Sequence, residues 1–229
     1  MHLRGLLIVI MVAIVSATSV SAKIQPRFWV GGQLGFNSYA MGDLGDYIDN
    51  FNNYYGVAMD KITNGFSYGI EAGLQLNSSL GFYAGYENLS ASTKMTDLGG
   101  QITFDFPVDA FYGGIQYAVW KVPNWNFGFA GDIGSASISG KETHYAEGWG
   151  ADTYTVTGDD VFYRIRLFSE YKAGKVFIIN PSIGYRFGKF SEFQEDGGTV
   201  YKPHNVKMTM DYSGLAVRLT VKFILNPGK

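Results

Sequence analysis

The run Gly214 to Phe223, GLAVRLTVKF, alternates without a break and ends on an aromatic residue. Side chains in a strand repeat with a period of two. Leu215, Val217, Leu219, Val221 and Phe223 therefore share one face, and Ala216, Arg218, Thr220 and Lys222 share the other. One face is wholly apolar and the other carries cations. A strand of a soluble sandwich can have this pattern. A strand that crosses an outer membrane must have it, with lipid outside and a polar lumen inside.

The first residues read as an export signal. Arg4 supplies the positive start, and Gly5 to Val15 is an apolar run too short to span a bilayer comfortably. Val20-Ser21-Ala22 places small residues for cleavage before Lys23, so residues 1–22 are expected to be removed and 23–229 to form one barrel domain. No cysteine follows, which excludes lipoprotein processing, disulfides and Cys-based metal sites. No later stretch approaches the 18 apolar residues of a membrane helix. Only helices and closed barrels satisfy every backbone group in lipid, so an exported chain of alternating runs points to a closed barrel.

Composition agrees. Charged residues are 17% of the chain, below the roughly 25% of soluble domains, while Tyr and Phe number 16 and 17. The formal charge of −2 offers no basic stripe for nucleic acid.

Eight alternating runs follow the signal. The first is Phe28 to Asn37, with Phe28, Val30, Leu34 and Phe36 on one side and Gln33 on the other. Phe66 to Leu76 is the cleanest, with Tyr68, Ile70, Ala72 and Leu74 outward and Ser67, Glu71 and Gln75 inward. Leu80 to Asn88 places Phe82, Ala84 and Tyr86 outward and Tyr83 and Glu87 inward. Gln101 to Trp120 changes phase near Asp109: Ile102, Phe104, Phe106 and Val108 have one parity, Phe111, Ile115, Tyr117 and Val119 the other. A one-residue slip turns every side chain over, so this pattern predicts a β-bulge there. Trp125 to Ser135, Val161 to Tyr171, Val176 to Phe190 and Val206 to Phe223 complete the set, the last with a second phase change near Ser213-Gly214.

Connections at Asn77, Pro123 and Gly174 are short, whereas 37–65, 89–100, 136–160 and 191–205 are long. Short turns at one end and long loops at the other are an outer-membrane barrel pattern. Aromatic residues form two expected girdles: Phe28, Trp120, Trp125, Tyr171, Phe177 and Phe223 at the short-turn end, and Phe36, Phe66, Tyr86, Phe104, Tyr163, Phe187 and Tyr212 at the other. The expected fold is all-β: an eight-stranded antiparallel up-and-down transmembrane β-barrel with short periplasmic turns and long extracellular loops.

The signal Val20-Ser21-Ala22, the eight runs and the terminal LTVKF strand resemble the small outer-membrane β-barrel superfamily that includes the OmpA membrane domain and the OmpX- and OmpW-like proteins. The resemblance covers Lys23 to Phe223. It implies that Phe223 ends a signal read by the barrel assembly machinery, and that the partners are membrane lipid and lipopolysaccharide in a Gram-negative-type outer membrane. Six residues follow Phe223, beyond where the smallest members usually stop, and no peptidoglycan-binding domain accompanies the barrel.

The inward positions collect charge: Glu71, Glu87, Asp132, Glu170 and Asp211 against Arg164, Arg166, Arg186, Arg218 and Lys222. An eight-stranded barrel is just wide enough for its interior side chains to fill it. Such a set reads as a salt-bridged structural plug, or as an ion path or gate. Glu142-x-His144 is a minimal acid/base or metal pair within a polar loop, and His204 lies in another loop; no HExxH is present. The loop from Met41 to Asp60 spaces Leu44, Ile48, Phe51 and Tyr55 as one face of an amphipathic helix that could cap the barrel mouth, fold inward or bind a partner. Its acids Asp43, Asp46 and Asp49 do not have EF-hand spacing. The expected protein is a monomer without cofactor or catalytic centre, acting as a structural or surface-interaction barrel. The alternatives are a narrow OmpW-like pore or transporter and, last, a rim enzyme.

Overall fold

The computed structural model describes residues 26–97, 100–146, 150–195 and 209–226. The export signal 1–22 and His204 lie outside the described residues. Twelve-residue β1 (Arg27–Ser38) leads into helix α1 (Asp43–Tyr55). The strands β2 (Asn64–Gln75), β3 (Leu80–Leu89), β4 (Ser92–Asp97), β5 (Gly100–Asp105), β6 (Val108–Val122), β7 (Trp125–Ala146), β8 (Gly150–Ala173) and β9 (Phe177–Phe187) follow. Three two-residue pieces, β10 (Lys189–Phe190), β11 (Gln194–Glu195) and β12 (Met210–Asp211), precede β13 (Gly214–Ile224).

Eight antiparallel strands close a ring in the order β8-β9-β13-β1-β2-β3-β6-β7, with β7 returning to β8. The first and last strands seal it, Val30 opposite Phe223 and Asn37 opposite Ala216. Closure leaves no unpaired edge in lipid. Among the described residues no helix is long and apolar enough to cross a membrane.

The outer surface is built for lipid. Leu34, Ile70, Phe129, Ile133, Ile165, Leu167, Leu215 and Val217 are all exposed, in a belt of large apolar side chains that water would not tolerate at this size. Phe223 belongs to this belt, its ring 5.5 Å from Phe177 on the neighbouring strand. At the short-turn end, Trp125 packs against Phe127 and Tyr171. In the tight turn after β2, Asn77 Oδ1 accepts the Ser79 and Leu80 N–H groups at 2.7 and 2.9 Å. An Asx turn of this kind fixes a hairpin with few residues.

Above the belt the strands continue but their environment inverts. On β7 the outward positions run from Phe129 and Ile133 to Ser135, Ser137 and Lys141, while the inward ones run from Asp132 to Ala136 and Ile138, both buried. On β8 the inward Arg164 is followed toward the loops by Phe162 and then Val156, also buried. Inside lipid the apolar side faces out; beyond lipid the same backbone phase turns its apolar side in.

This inversion corrects the two expected phase slips. Phe104, Phe106, Val108, Ala110 and Tyr112 are all buried and share one parity, so no bulge occurs at Asp109. The chain instead breaks at Phe106-Pro107, and β5 leaves the ring to pair with β4 and β7. The register shift on this strand lies between Ala118 and Trp120. Met210 and Tyr212 likewise keep the inward parity of Ala216 and Arg218. Phe104 and Tyr212 therefore leave the aromatic girdle and join the interior. The expected loop 136–160 is largely a β-hairpin, since β7 reaches Ala146 and β8 begins at Gly150.

The expected amphipathic helix forms as α1, shorter than 41–60. Its N-terminus follows Met41 and Gly42, both with positive φ (60° and 53°), and Asp43 and Asp46 in its first turn complement the helix dipole. Gly56 in the left-handed region ends it. Leu44, Ile48 and Phe51 are buried in one apolar cluster with Tyr39, Met59, Ile62, Phe104 and Phe106, and the Phe51 ring lies 6.3 Å from that of Phe104. Burying each such side chain stabilises by about 1.5–3 kcal/mol, so the helix is held as a cap over the barrel mouth.

Candidate functional site

Beneath this cap the lumen is filled with paired charge. β7 and β8 place Asp132 directly opposite Arg164. Arg164 donates from Nε to Asp132 Oδ2 at 2.5 Å and from Nη1 to Glu87 Oε2 at 2.8 Å. Arg218, from β13, also donates from Nη2 to Glu87 Oε2 and lies 3.9 Å from Glu71. Arg166 reaches Asp132 at 3.2 Å and Glu71 at 3.6 Å. All six side chains are almost fully buried, and burial at this depth is tolerable only with this degree of pairing.

Nearer the short-turn end lies a second, separate pair. Lys222 Nζ donates to Glu170 Oε1 at 2.7 Å and sits 4.3 Å from the centre of the Trp29 ring. Gln116 and Asn126 complete the hydrogen bonding of Glu170. Trp29 is buried on the inward face at this end.

Two members of the expected charge set stand elsewhere. Asp211 is on β12, opposite Lys189 in the loop region, where its Oδ1 accepts the Ser213 N–H at 2.9 Å. It lies beyond the strand break, outside the lumen. Arg186 is in the lumen and buried, yet among the described residues no carboxylate lies within ion-pair distance; its Nε donates to the Tyr212 carbonyl at 3.2 Å.

Two tyrosines outside the expected charge set organise the cluster: Tyr83, which the alternation places inward, and Tyr112. Tyr112 donates to Glu71 Oε1 at 2.7 Å, accepts from Gln33 Nε2 at 2.8 Å, and lies under the Arg164 guanidinium at 4.6 Å. Tyr83 donates to Asp132 Oδ1. Both rings occupy space that glycines vacate: a Cβ on Gly85 would stand 2.6 Å from Tyr112 Oη, and one on Gly114 would stand 2.4 Å from Tyr83 Oη. Tyr112 has the parity opposite to Phe111, Ile115, Tyr117 and Val119, so its inward face follows from the alternation after Asp109, whereas its partners depend on register.

At the rim, Glu142 and His144 belong to β7, not to a solvated loop. Glu142 Oε1 is 2.6 Å from His144 Nε2 and 3.4 Å from Tyr47 Oη of α1, and Glu142 is buried. Phe51 and Tyr154 pack their rings 6.2 Å from His144. The arrangement ties the helix to the hairpin. Among the described residues no group of three or more metal-binding side chains converges.

Two tyrosines of the cap have perturbed phenols. Burial pushes Tyr39 from 10.0 up to about 12, offset in part by the positive Arg186. Tyr212 is also raised, first by burial and then by the carboxylate of Asp160, which its hydroxyl meets at 3.3 Å.

No protein-family model matches the chain, and no curated protein matches it in sequence. Among solved structures it is similar to the outer membrane protein OprG from Pseudomonas aeruginosa, at 10% identity over 89% of this chain and 98% of that one, with a TM-score of 0.46. It is similar to Ail, the attachment invasion locus protein of Yersinia pestis, at 9% identity over 89% and 99%, with a TM-score of 0.44. It is also similar to Neisserial surface protein A, at 14% identity over 86% and 96%, with a TM-score of 0.41. At such identities the likeness extends to neither ligand nor activity.

Proposed function

We propose that this chain is an outer-membrane barrel, exported by a cleaved signal over residues 1–22, that acts at the cell surface through its long hairpins and does not conduct through its lumen. The observation that carries this reading is the contrast between the two ends of β7 and β8. Within the ring they bury Asp132, Arg164 and Arg166 in a paired core, with buried residues of α1 on the loop side and buried Trp29 toward the short turns. Beyond the pairing with β6, which ends at Ile138, residues 139–146 continue for roughly 25 Å at about 3.3 Å per residue before tilt. There β4, β5 and β11 flank them in one sheet.

Such an extension is far longer than closing a barrel needs. Its outer face is hydroxyl-rich: Thr103, Thr143 and Thr153 lie side by side across three strands, and Thr143 and Thr153 Oγ1 are 3.4 Å apart. A sheet positions side chains more rigidly than a loop, which suits recognition of a surface in the environment.

The reading is tested by replacing residues 141–155 with a two-residue turn, which leaves the ring strands intact. Cells displaying either form are applied to arrays of immobilised glycans and extracellular-matrix proteins. Full-length cells are expected to adhere to at least one surface and trimmed cells to lose that adhesion. Indistinguishable adhesion by the two would overturn the assignment to the hairpins.

A further inference from the structure

Among the described residues, the lumen carries one more positive charge than its carboxylates neutralise. Glu170 and Lys222 balance each other near the short-turn end. Above them, Glu71, Glu87 and Asp132 face Arg164, Arg166, Arg186 and Arg218: three carboxylates against four guanidiniums, all at most 6% exposed. No rearrangement of side chains among these seven removes the surplus.

The surplus falls at Arg186. This residue is 1% exposed, and neither its Nη1 nor its Nη2 has a hydrogen-bond partner. It stands directly opposite Arg164 across β8 and β9, a like-charge pairing that is destabilising without a counterion. Asn37 is 0% exposed and faces the same lumen one strand beyond β13, opposite Ala216; neither polar atom of its carboxamide has a partner. The rings of Tyr212 and Tyr39 lie 5.3 and 5.9 Å from the Arg186 guanidinium carbon and shut it off from the cap. The next acid on that side, Asp160, is half-exposed and beyond the Tyr212 ring, where it accepts the Tyr212 hydroxyl and the Lys189 N–H. Glu142 is higher still, held by His144 and Tyr47.

We propose that Arg186 and Asn37 form an enclosed binding site for one small monovalent anion of the halide class, seated between the ion-pair cluster and the tyrosine lid. One charge is what the cluster lacks, and the N–H groups of a guanidinium and a carboxamide are the donors such an anion takes. A buried cation without its counterion carries a heavy desolvation cost, so the anion acts as a structural component of the lumen.

Crystals of the full-length protein grown with sodium bromide in place of chloride test the site directly. The expected result is an anomalous bromide peak in contact with Arg186 Nη1 or Nη2. Ordered water at that position with no anomalous signal would overturn the proposal. In solution, the refolded barrel is unfolded in urea across a chloride series, with sodium gluconate holding ionic strength constant. Above the dissociation constant the unfolding equilibrium constant is expected to fall by roughly tenfold for each tenfold rise in chloride. Arg186→Gln is expected to abolish that slope, and Asn37→Leu, which keeps the charge should the first variant fail to fold, to flatten it. Absence of a chloride slope in the unmodified protein, or equal slopes in all three proteins, would overturn the site.

Discussion

Asp132 and Arg164 are directly opposed on β7 and β8, and Arg164 Nε meets Asp132 Oδ2 at 2.5 Å with both side chains fully buried. Asp132 also takes Arg166 at 3.2 Å and the Tyr83 hydroxyl, so one carboxylate anchors two cations and a phenol.

Asp132→Asn is therefore expected to destabilise the barrel by about 3–5 kcal/mol, because it strands buried guanidinium charge. Urea unfolding of the protein refolded into phospholipid vesicles measures this. A loss under about 1 kcal/mol, the range of an exposed pair, would show that water reaches the cluster.

Depth along β8 separates lipid from water on one outer face. Ile165 lies in the apolar belt and Thr155 ten residues beyond it, with the same parity. Ile165→Arg is expected to cost about 2–4 kcal/mol if near the midplane, and Thr155→Arg to fall within about 0.5 kcal/mol of the unmodified protein. The same vesicle titration compares them; equal costs would remove the boundary placed between the two residues.

That boundary also explains what could be read in the chain and what could not. Within the belt, alternation is a direct record of lipid against lumen, which is why Ile70, Glu71, Arg164, Ile165 and Arg218 were assignable to their faces from period alone. Beyond it the meaning of an apolar residue reverses. Phe104, Phe106, Val108 and Tyr212 therefore imitate a slip of register while the backbone keeps its phase. The Ser- and Gly-rich stretch 134–140 has the composition of a loop, yet pairing with β8 and the burial of Ala136 and Ile138 make it strand. The isolation of Arg186 was not legible, because pairing partners depend on register and on which acids, such as Asp211, fall past a strand break.

The cap should yield before the barrel. Ile48 is fully buried on α1, and Ile48→Ala is expected to weaken the helix by about 2–5 kcal/mol. Hydrogen exchange resolved by residue would show faster exchange in α1 with protection of β1 and β13 retained. Equal loss of protection in those strands would mean that cap and ring unfold as one unit.

Alkaline pH should loosen the same cap. The folded state raises the Tyr39 phenol above its usual 10.0, so it favours the protonated form. The associated stability is fully present below pH 10 and is lost as pH rises through about 12. Tyrosinate absorbance should show this phenol titrating late. Tyr39→Phe should reduce the late tyrosinate absorbance by one phenol, leaving that of Tyr212, and an unchanged amplitude in the variant would assign it to another residue.

The central claim is that the lumen is a paired, capped core closed to ions. Single-channel recording of the purified protein in planar lipid bilayers tests it most directly. The account predicts a silent membrane, without discrete current steps, under conditions where insertion is verified independently. Reproducible unitary steps from the unmodified protein would contradict it.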